Sequence, residues 1–276
     1  MVRSGSPRTE SPWDALRYDG YPLRAVIGRD DAYNHYIDST QKALYTRVLP
    51  LQKDFTVLDF GCGNGRWAFW FAPQVDRVIG VDPSPDMVRA AQRLAPGLGV
   101  RNASFTLLTD DTPPFPGGAF DVVNCVWVLK YILSDAEVAA VIEGFARATR
   151  PGGYVALIEQ VNQSQPLLVE DEGYFEGQAR YRMPDFYIDT FRGCGMDLRY
   201  HALSNASPLF WACSRLRRAM QRFFGAPRST RPPRYITAVS IYGDLMTGRV
   251  MRFRSGHHFF LFRKSADVSQ EFGRVK

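Results

Sequence analysis

Three glycines in five residues, preceded by a carboxylate, mark the stretch of this chain best suited to hold a ligand. The run Val57-Leu58-Asp59-Phe60-Gly61-Cys62-Gly63-Asn64-Gly65-Arg66 places Gly61, Gly63 and Gly65 at the end of an apolar stretch. Glycines at the carboxyl end of a first strand permit a tight turn and close backbone approach of a ligand, at the crevice where open α/β sheets bind theirs. The spacing is G-x-G-x-G, with Arg66 standing where the dinucleotide fingerprint needs its last glycine. Asp59 lies just ahead of the turn. A carboxylate aimed into a glycine loop repels a pyrophosphate and suits a cationic ligand. A second acid, Asp82, closes the next apolar run, in Gly80-Val81-Asp82-Pro83-Ser84.

These residues need a scaffold, and the flanking pattern supplies one. Apolar runs predict strands at Phe55–Phe60, Val75–Val81, Ser104–Leu108, Phe120–Val126 and Tyr154–Val161. Between them, helices are predicted at Asn64–Phe71, Ser84–Leu94 and Ser134–Thr149. Strand and helix alternating at short intervals imply right-handed crossovers and a doubly wound, mostly parallel α/β sheet covered on both faces. Upstream, Tyr33, Tyr36, Ile37, Leu44 and Val48 recur at helical spacing, which predicts an amphipathic helix over Asp30–Val48 laid on the main domain. Beyond Val161 the rhythm breaks. Gln163–Arg182 reads as polar and acidic without an element, Pro184–Phe191 as a short helix, and Met196–Leu203 and His257–Arg263 as two late strands. Further helices are expected over Pro208–Phe224 and Arg234–Met246.

In this arrangement the sequence resembles the class I S-adenosylmethionine-dependent methyltransferases, over Phe55–Val161 and the two late strands. Asp59 with Gly61, Cys62, Gly63 and Gly65 is similar to the family's first motif; Asp82, with Pro83 and with Met87 one helical turn on, is similar to the acid ending the second strand. The resemblance implies a seven-stranded Rossmann-like methyltransferase fold, S-adenosyl-L-methionine as cofactor, and ribose hydroxyls on Asp82, whose two oxygens can take a diol in bidentate fashion. It also implies that Asp110 or Asp111, in the loop from Thr109 to Asp121, accepts from the adenine amine. Val126 and Trp127, opening the segment that runs to Tyr131, would close over the cofactor. Arg150-Pro151-Gly152-Gly153 resembles the turn into the fifth strand. Asp82 could instead cap the following helix, and Asp121 is better explained by the fold than by a ligand.

Methyl transfer from a sulfonium demands alignment first, worth roughly 7 to 11 kcal/mol; a general base matters only when the acceptor carries a proton to be removed. Glu159, at the end of the fifth strand, and Tyr131, after the fourth, are the candidates for that role, with Glu159 preferred by its strand-end position and a solvated carboxylate as its alternative. His201 and the pair His257 and His258 are weaker candidates, and the last two point to opposite faces of one strand. No Asp or Glu occurs from Leu198 to Gly243, where Arg215, Arg217, Arg218 and Arg222 cluster with four further arginines. Residues 207–255 are therefore expected to form a substrate cap whose arginine forks match phosphate or carboxylate, or else a solvated basic face. The expected organisation is an N-terminal extension over 1–50, a methyltransferase domain over 51–264 carrying that insertion, and a tail over 265–276.

Composition narrows the rest. The 276 residues carry a formal charge of +6 and 45% hydrophobic residues, an ordinary globular balance. The most apolar run, Val122–Leu129, contains Asn124 and ends at Lys130, far short of the roughly 18 to 20 residues of a membrane span. Residues 1–14 lack an apolar core of the secretory kind, so a cytoplasmic location is expected. Cys62, Cys125, Cys194 and Cys213 form no C-x-x-C pair, so neither a metal site nor a disulfide framework is expected. The leading expectation is transfer of a methyl group to O or N of a small-molecule or lipid-linked acceptor, anionic ones included. RNA is a less favoured partner, since Asn124-Cys125-Val126-Trp127 stands where base-amino methylases carry an Asn/Asp-Pro-Pro-aromatic tetrapeptide. A third expectation is a binding protein that keeps the fold without catalysis. Peripheral membrane contact stays open, and the sequence sets no oligomeric state.

Overall fold

The computed structural model describes residues 31–109, 115–171, 177–204, 239 and 255–265. Among them a seven-stranded sheet runs in the order β3-β2-β1-β4-β5-β9-β8. Its strands are β1 (Thr56–Phe60), β2 (Arg77–Asp82), β3 (Ala103–Leu107), β4 (Phe120–Val126), β5 (Thr149–Asn162), β8 (Met196–Leu203) and β9 (Ser255–Lys264). The first five pair in parallel, while β9 lies antiparallel between β5 and β8. The doubly wound, mostly parallel sheet expected from the alternation is the observed one.

The sheet is apolar on both faces because helices cover both. Val57, Val78, Val122, Ala156 and Phe259 point to one side, with α2 (Arg66–Phe71), α3 (Pro85–Gly97) and the end of α1 (Asp31–Val48). Leu58, Val123, Val155, Leu157 and Phe260 point to the other, with α4 (Asp135–Ala148) and α5 (Pro184–Gly193). Ser84 caps α3 by accepting from the Met87 amide at 3.3 Å, and Ser134 caps α4 by accepting from the Glu137 amide at 3.3 Å. Helix α1 is tied in by Tyr45, which is fully buried with its ring 4.3 Å from Trp67 and 4.8 Å from Phe259. Tyr36, expected to pack, is fully buried with Ile37 against Trp127.

One expectation is corrected. Within Gln163–Arg182, read as lacking an element, β6 (Leu167–Asp171) and β7 (Gly177–Tyr181) form an antiparallel pair separate from the main sheet. A two-stranded ribbon this polar has little apolar face of its own. Arg180 and Arg182 tie it to α4 by reaching Asp135 at 2.9 and 2.8 Å. The helix expected over 208–224, that over 234–246 apart from the exposed Val239, and the arginines of the expected cap lie outside the described residues.

Candidate functional site

The parallel strands end along one edge at Phe60, Asp82, Leu107, Val126 and Asn162. Strand β9 starts at the same edge, where Glu159 is paired with His258 and Gln160 with His257. The glycine loop turns there with Gly61, Gly63 and Gly65 at φ values of 71°, 53° and 90°. Its amides point inward. Those of Gly61 and Cys62 donate to the Val81 carbonyl at 2.8 and 3.0 Å, and that of Gly63 donates to Asp82 Oδ2 at 2.8 Å. The Gly65 amide donates to the Cys62 carbonyl at 3.0 Å.

Asp82 is thus built into the loop. Its Oδ1 accepts from the Ser84 amide at 2.9 Å, so each oxygen holds one backbone N–H and keeps a lone pair for another donor. Helix capping falls to Ser84, not to Asp82. Burial lifts the Asp82 carboxyl above its ordinary range, while the Ser84 and Gly63 amides pull the other way. Cys62 is buried beside Gly80, and desolvation pushes its thiol far up. Met87 is buried in the first turn of α3 and Pro83 is exposed. Asp110 and Asp111 lie outside the described residues.

Asp59 lies beneath this loop and is almost fully buried. Its Oδ1 accepts from Asn124 Nδ2 at 2.8 Å, and Asn124 Oδ1 in turn accepts from the Tyr45 hydroxyl at 2.7 Å. Helix α1 is thereby wired through β4 to the carboxylate. Desolvation raises Asp59 to about 6, offset in part by Asn124, Arg66 and the Ala68 amide. Tyr45→Phe removes the donor to a fully buried amide oxygen and is expected to destabilise the fold by about 1 to 3 kcal/mol. Urea unfolding measures it; a change within 0.3 kcal/mol would mean that the Asn124 oxygen finds another donor.

The loop after β4 is clamped from two sides. Val126 is half-buried at the strand end, and Trp127 adopts φ 61°, the one described non-glycine residue with positive φ. Its amide is held by the Ile158 carbonyl at 2.8 Å. Glu159 Oε1 accepts from the amides of Val128 and Leu129 at 2.8 and 2.7 Å, at the head of a single 3₁₀ turn, Leu129–Tyr131. Glu159 is completely buried, so the solvated alternative does not hold. Desolvation raises it to about 7, against the pull of the Leu129 amide and the Lys130 charge. On the carbonyl side, Arg182 donates to Leu129 O at 3.1 Å and Ile132 O at 2.7 Å. Sequence reasoning missed Arg182, because one arginine at the end of an unrecognised hairpin carries no signal. Tyr131 is half-buried, with Lys130 Nζ 4.7 Å from its ring centroid.

The histidines divide as their alternation requires. His257 packs on Trp127 with ring centroids 5.1 Å apart, whereas His258 turns to the opposite face and meets His201, Nδ1 to Nε2, at 2.8 Å. Burial lowers His201 to about 4 and both His257 and His258 to about 3, so all three are neutral at physiological pH. Among the described residues no group of His, Cys, Asp and Glu is suited to hold a metal, and no helix is long and apolar enough to cross a membrane.

Residues 57–153, which span the glycine loop, Asp82 and the β4 loop, match the methyltransferase domain family. An uncharacterized methyltransferase YcgJ of Bacillus subtilis is 28% identical over 150 residues, 54% of this chain and 57% of that protein. Phosphoethanolamine N-methyltransferase 3 of Arabidopsis thaliana is 29% identical over 164 residues, 58% of this chain and 32% of that protein. The chain thus spans between a third and three-fifths of these relatives' lengths. Among solved structures, the [4+2]-cyclase SpnF superposes with a TM-score of 0.62 at 18% identity, covering 90% of each chain, a likeness of fold. With the glycine loop, the acid ending β2 and the sheet order all in place, residues 57–153 form a methyltransferase domain of the class I S-adenosylmethionine-dependent kind.

Proposed function

We propose that this chain binds S-adenosyl-L-methionine at the β1–β2 edge and transfers its methyl group to O or N of a small-molecule or lipid-linked acceptor, with anionic acceptors favoured. The observation that carries this reading is the direction of the loop amides. A pyrophosphate site needs free backbone N–H groups at the helix start. Here the amides of Gly61, Cys62, Gly63 and Gly65 are all spent within the protein. Asp82, by contrast, keeps unused lone pairs on both oxygens at the edge of the sheet, the acceptor pair a ribose diol needs. The residues fit the cofactor that the family implies.

The cofactor supplies an activated methyl on a sulfonium centre. The chain's part is to hold the acceptor in line with it and to keep the β4 loop closed against the glycine loop. In this reading Asp59 contributes negative potential beneath the loop, and Val126 and Trp127 wall the crevice. Glu159, enclosed with its Oε1 spent on two amides, acts as a positioning residue for that wall and not as the base. Tyr131 remains the candidate to meet an acceptor proton. The basic run from Leu198 to Gly243 favours acceptors bearing phosphate or carboxylate, in keeping with a relative named for phosphoethanolamine.

Calorimetry with S-adenosylhomocysteine, S-adenosylmethionine and a nicotinamide dinucleotide tests the binding. The first two are expected to bind, and Asp82→Ala to weaken them by about 2 kcal/mol, roughly 30-fold. Heat from the dinucleotide alone would overturn the reading. Labelled methyl transfer to a small-molecule panel and to total RNA then separates the acceptor classes. Binding without transfer to either would favour the fold-retaining, non-catalytic alternative.

A further inference from the structure

Arg182, the residue that follows the β6–β7 hairpin, is all but completely buried, and each nitrogen of its guanidinium donates. Nε donates to Asp135 Oδ1 at 2.8 Å, Nη1 to Leu129 O at 3.1 Å and Nη2 to Ile132 O at 2.7 Å. Its own carbonyl accepts from the Asn162 amide at 3.1 Å, and its guanidinium carbon lies 5.3 Å from the Phe186 ring centroid. One residue thus joins the hairpin to the end of β5, the turn after β4 and the starts of α4 and α5.

Anchoring the hairpin would need less. Arg180 already does so, donating to Leu133 O at 3.1 Å and to Asp135 Oδ2 at 2.9 Å. What Arg182 adds is a hold on the 3₁₀ turn Leu129–Tyr131 through two backbone carbonyls. Glu159 holds the same turn from its amide side, so its backbone is fixed between a carboxylate and a guanidinium. Lysine is a poor substitute here, because an ammonium is a point charge and two carbonyls with a carboxylate call for a planar fork.

On its other flank the turn abuts the glycine loop. Val128, whose amide Glu159 holds, packs so close on Gly61 that its Cγ2 lies 2.2 Å from where a Cβ would stand. The Gly61 amide is fixed to Val81 O at 2.8 Å and the Gly63 amide to Asp82 Oδ2 at 2.8 Å. An unbroken run of contacts therefore leads from the hairpin through Arg182, Leu129 and Val128 to the glycine loop and Asp82. We propose that Arg182 is a positioning residue that couples the β6–β7 hairpin to the glycine loop, so that a ligand seated on the loop steadies the hairpin and a steadier hairpin strengthens the hold on that ligand. The two effects are equal, since a coupling free energy is reciprocal. The coupling rests on the cofactor reading above only for which ligand occupies the loop.

Contiguity does not by itself establish coupling, so the test reads a response: amide hydrogen exchange with S-adenosylhomocysteine as the probe. In the wild type the probe is expected to slow exchange about fivefold over residues 129–132 and over both hairpin strands. In Arg182→Lys the slowing over the hairpin is expected to disappear, and calorimetry should find the probe bound about fivefold more weakly. A residue that only held the fold together would change the basal exchange rates and leave the response to the probe in place. Asp135→Asn removes the charge that anchors both arginines and leaves the bonds to Leu129 O and Ile132 O, so the response should persist in it. Ala179→Gly loosens the buried seam of the hairpin without touching a partner of Arg182, and it should weaken the probe even if Arg182→Lys fails to fold. The proposal is overturned by a hairpin that responds equally in Arg182→Lys, by one that does not respond in a wild type that binds the probe, by loss of the response in Asp135→Asn, or by unchanged affinity in Ala179→Gly. If the wild type does not bind the probe, the functional reading fails, and the coupling is decided without a ligand. Arg182→Lys and Ala179→Gly should then speed exchange of the Gly61 and Gly63 amides, followed by NMR, and acceleration confined to the hairpin and the turn would overturn the proposal.

Discussion

Gly61→Ala is expected to destabilise the chain by roughly 2 to 5 kcal/mol, the sum of two separable costs. The first is conformational. Gly61 sits at φ 71°, a left-handed geometry that costs a residue bearing a Cβ about 1 to 2 kcal/mol. The second is steric. A Cβ at this position would come within 2.2 Å of Val128 Cγ2, and such overpacking costs about 1 to 3 kcal/mol. Urea unfolding of Gly61→Ala, Val128→Ala and the double variant separates them. The Val128 truncation should recover the steric part and leave the backbone part in place. Binding of S-adenosylhomocysteine should fall in the single variant, because the Gly61 amide and its bond to Val81 O fix the loop over Asp82. A loss under 1 kcal/mol, or no recovery in the double variant, would show that the β4 loop retreats freely from the glycine loop.

This contact joins two segments that the sequence presents more than sixty residues apart, and it illustrates what a linear reading can and cannot reach. Glycines, strand-end acids and apolar runs are local signals, so β4 and β8 were legible to the residue and Asp59, Gly61, Gly63 and Asp82 were legible as a set. Strand β5 is longer than Tyr154–Val161 because Arg150-Pro151-Gly152-Gly153, which reads as a turn, continues the strand through a register shift opposite β4. Arg182 and the hairpin that carries it were illegible, since the ribbon is stabilised by ion pairs to α4 and not by its own alternation. The positive φ of Trp127 has no sequence signature, because nothing in a tryptophan's neighbours announces left-handed backbone. Glu159 was found by its strand-end position, but burial turns a solvent-facing carboxylate into one facing amides, and burial on the end of a central strand is decided by what folds over it.

That burial makes Glu159 the origin of a pH dependence in stability. Its carboxyl is raised from an ordinary 4.5 to about 7, chiefly by desolvation, with the Leu129 amide and the Lys130 charge opposing. Tyr187 from α5 and Cys125 from β4 face the same carboxylate, and His258 pairs with its backbone on β9. Between these two pH values the folded chain retains a proton that the unfolded chain has released. The stability present below pH 4.5 is therefore lost as pH rises through about 7, and the loss levels off above it. At about 1.4 kcal/mol per pK unit the window amounts to about 3 kcal/mol. Asp59, raised to about 6, acts in the same direction over a lower window. His201, His257 and His258, held neutral at about 4, 3 and 3, act the other way, because below about pH 6.5 the unfolded chain takes up protons that they do not, so the carboxylate contribution is read by comparing variants in denaturant unfolding at pH 5 and pH 8. Glu159→Gln should lower the stability at pH 5 relative to pH 8 by about 3 kcal/mol compared with the wild type, and its amide oxygen can still accept from Val128 and Leu129, so the loop keeps its place. Asp59→Asn should remove only a portion confined to lower pH. If Glu159→Gln leaves the slope unchanged while Asp59→Asn shifts it, the proton resides beneath the glycine loop and the clamp on the β4 loop stays charged throughout. If both variants retain it, the buried carboxylates are hydrated in solution and neither governs stability near neutral pH.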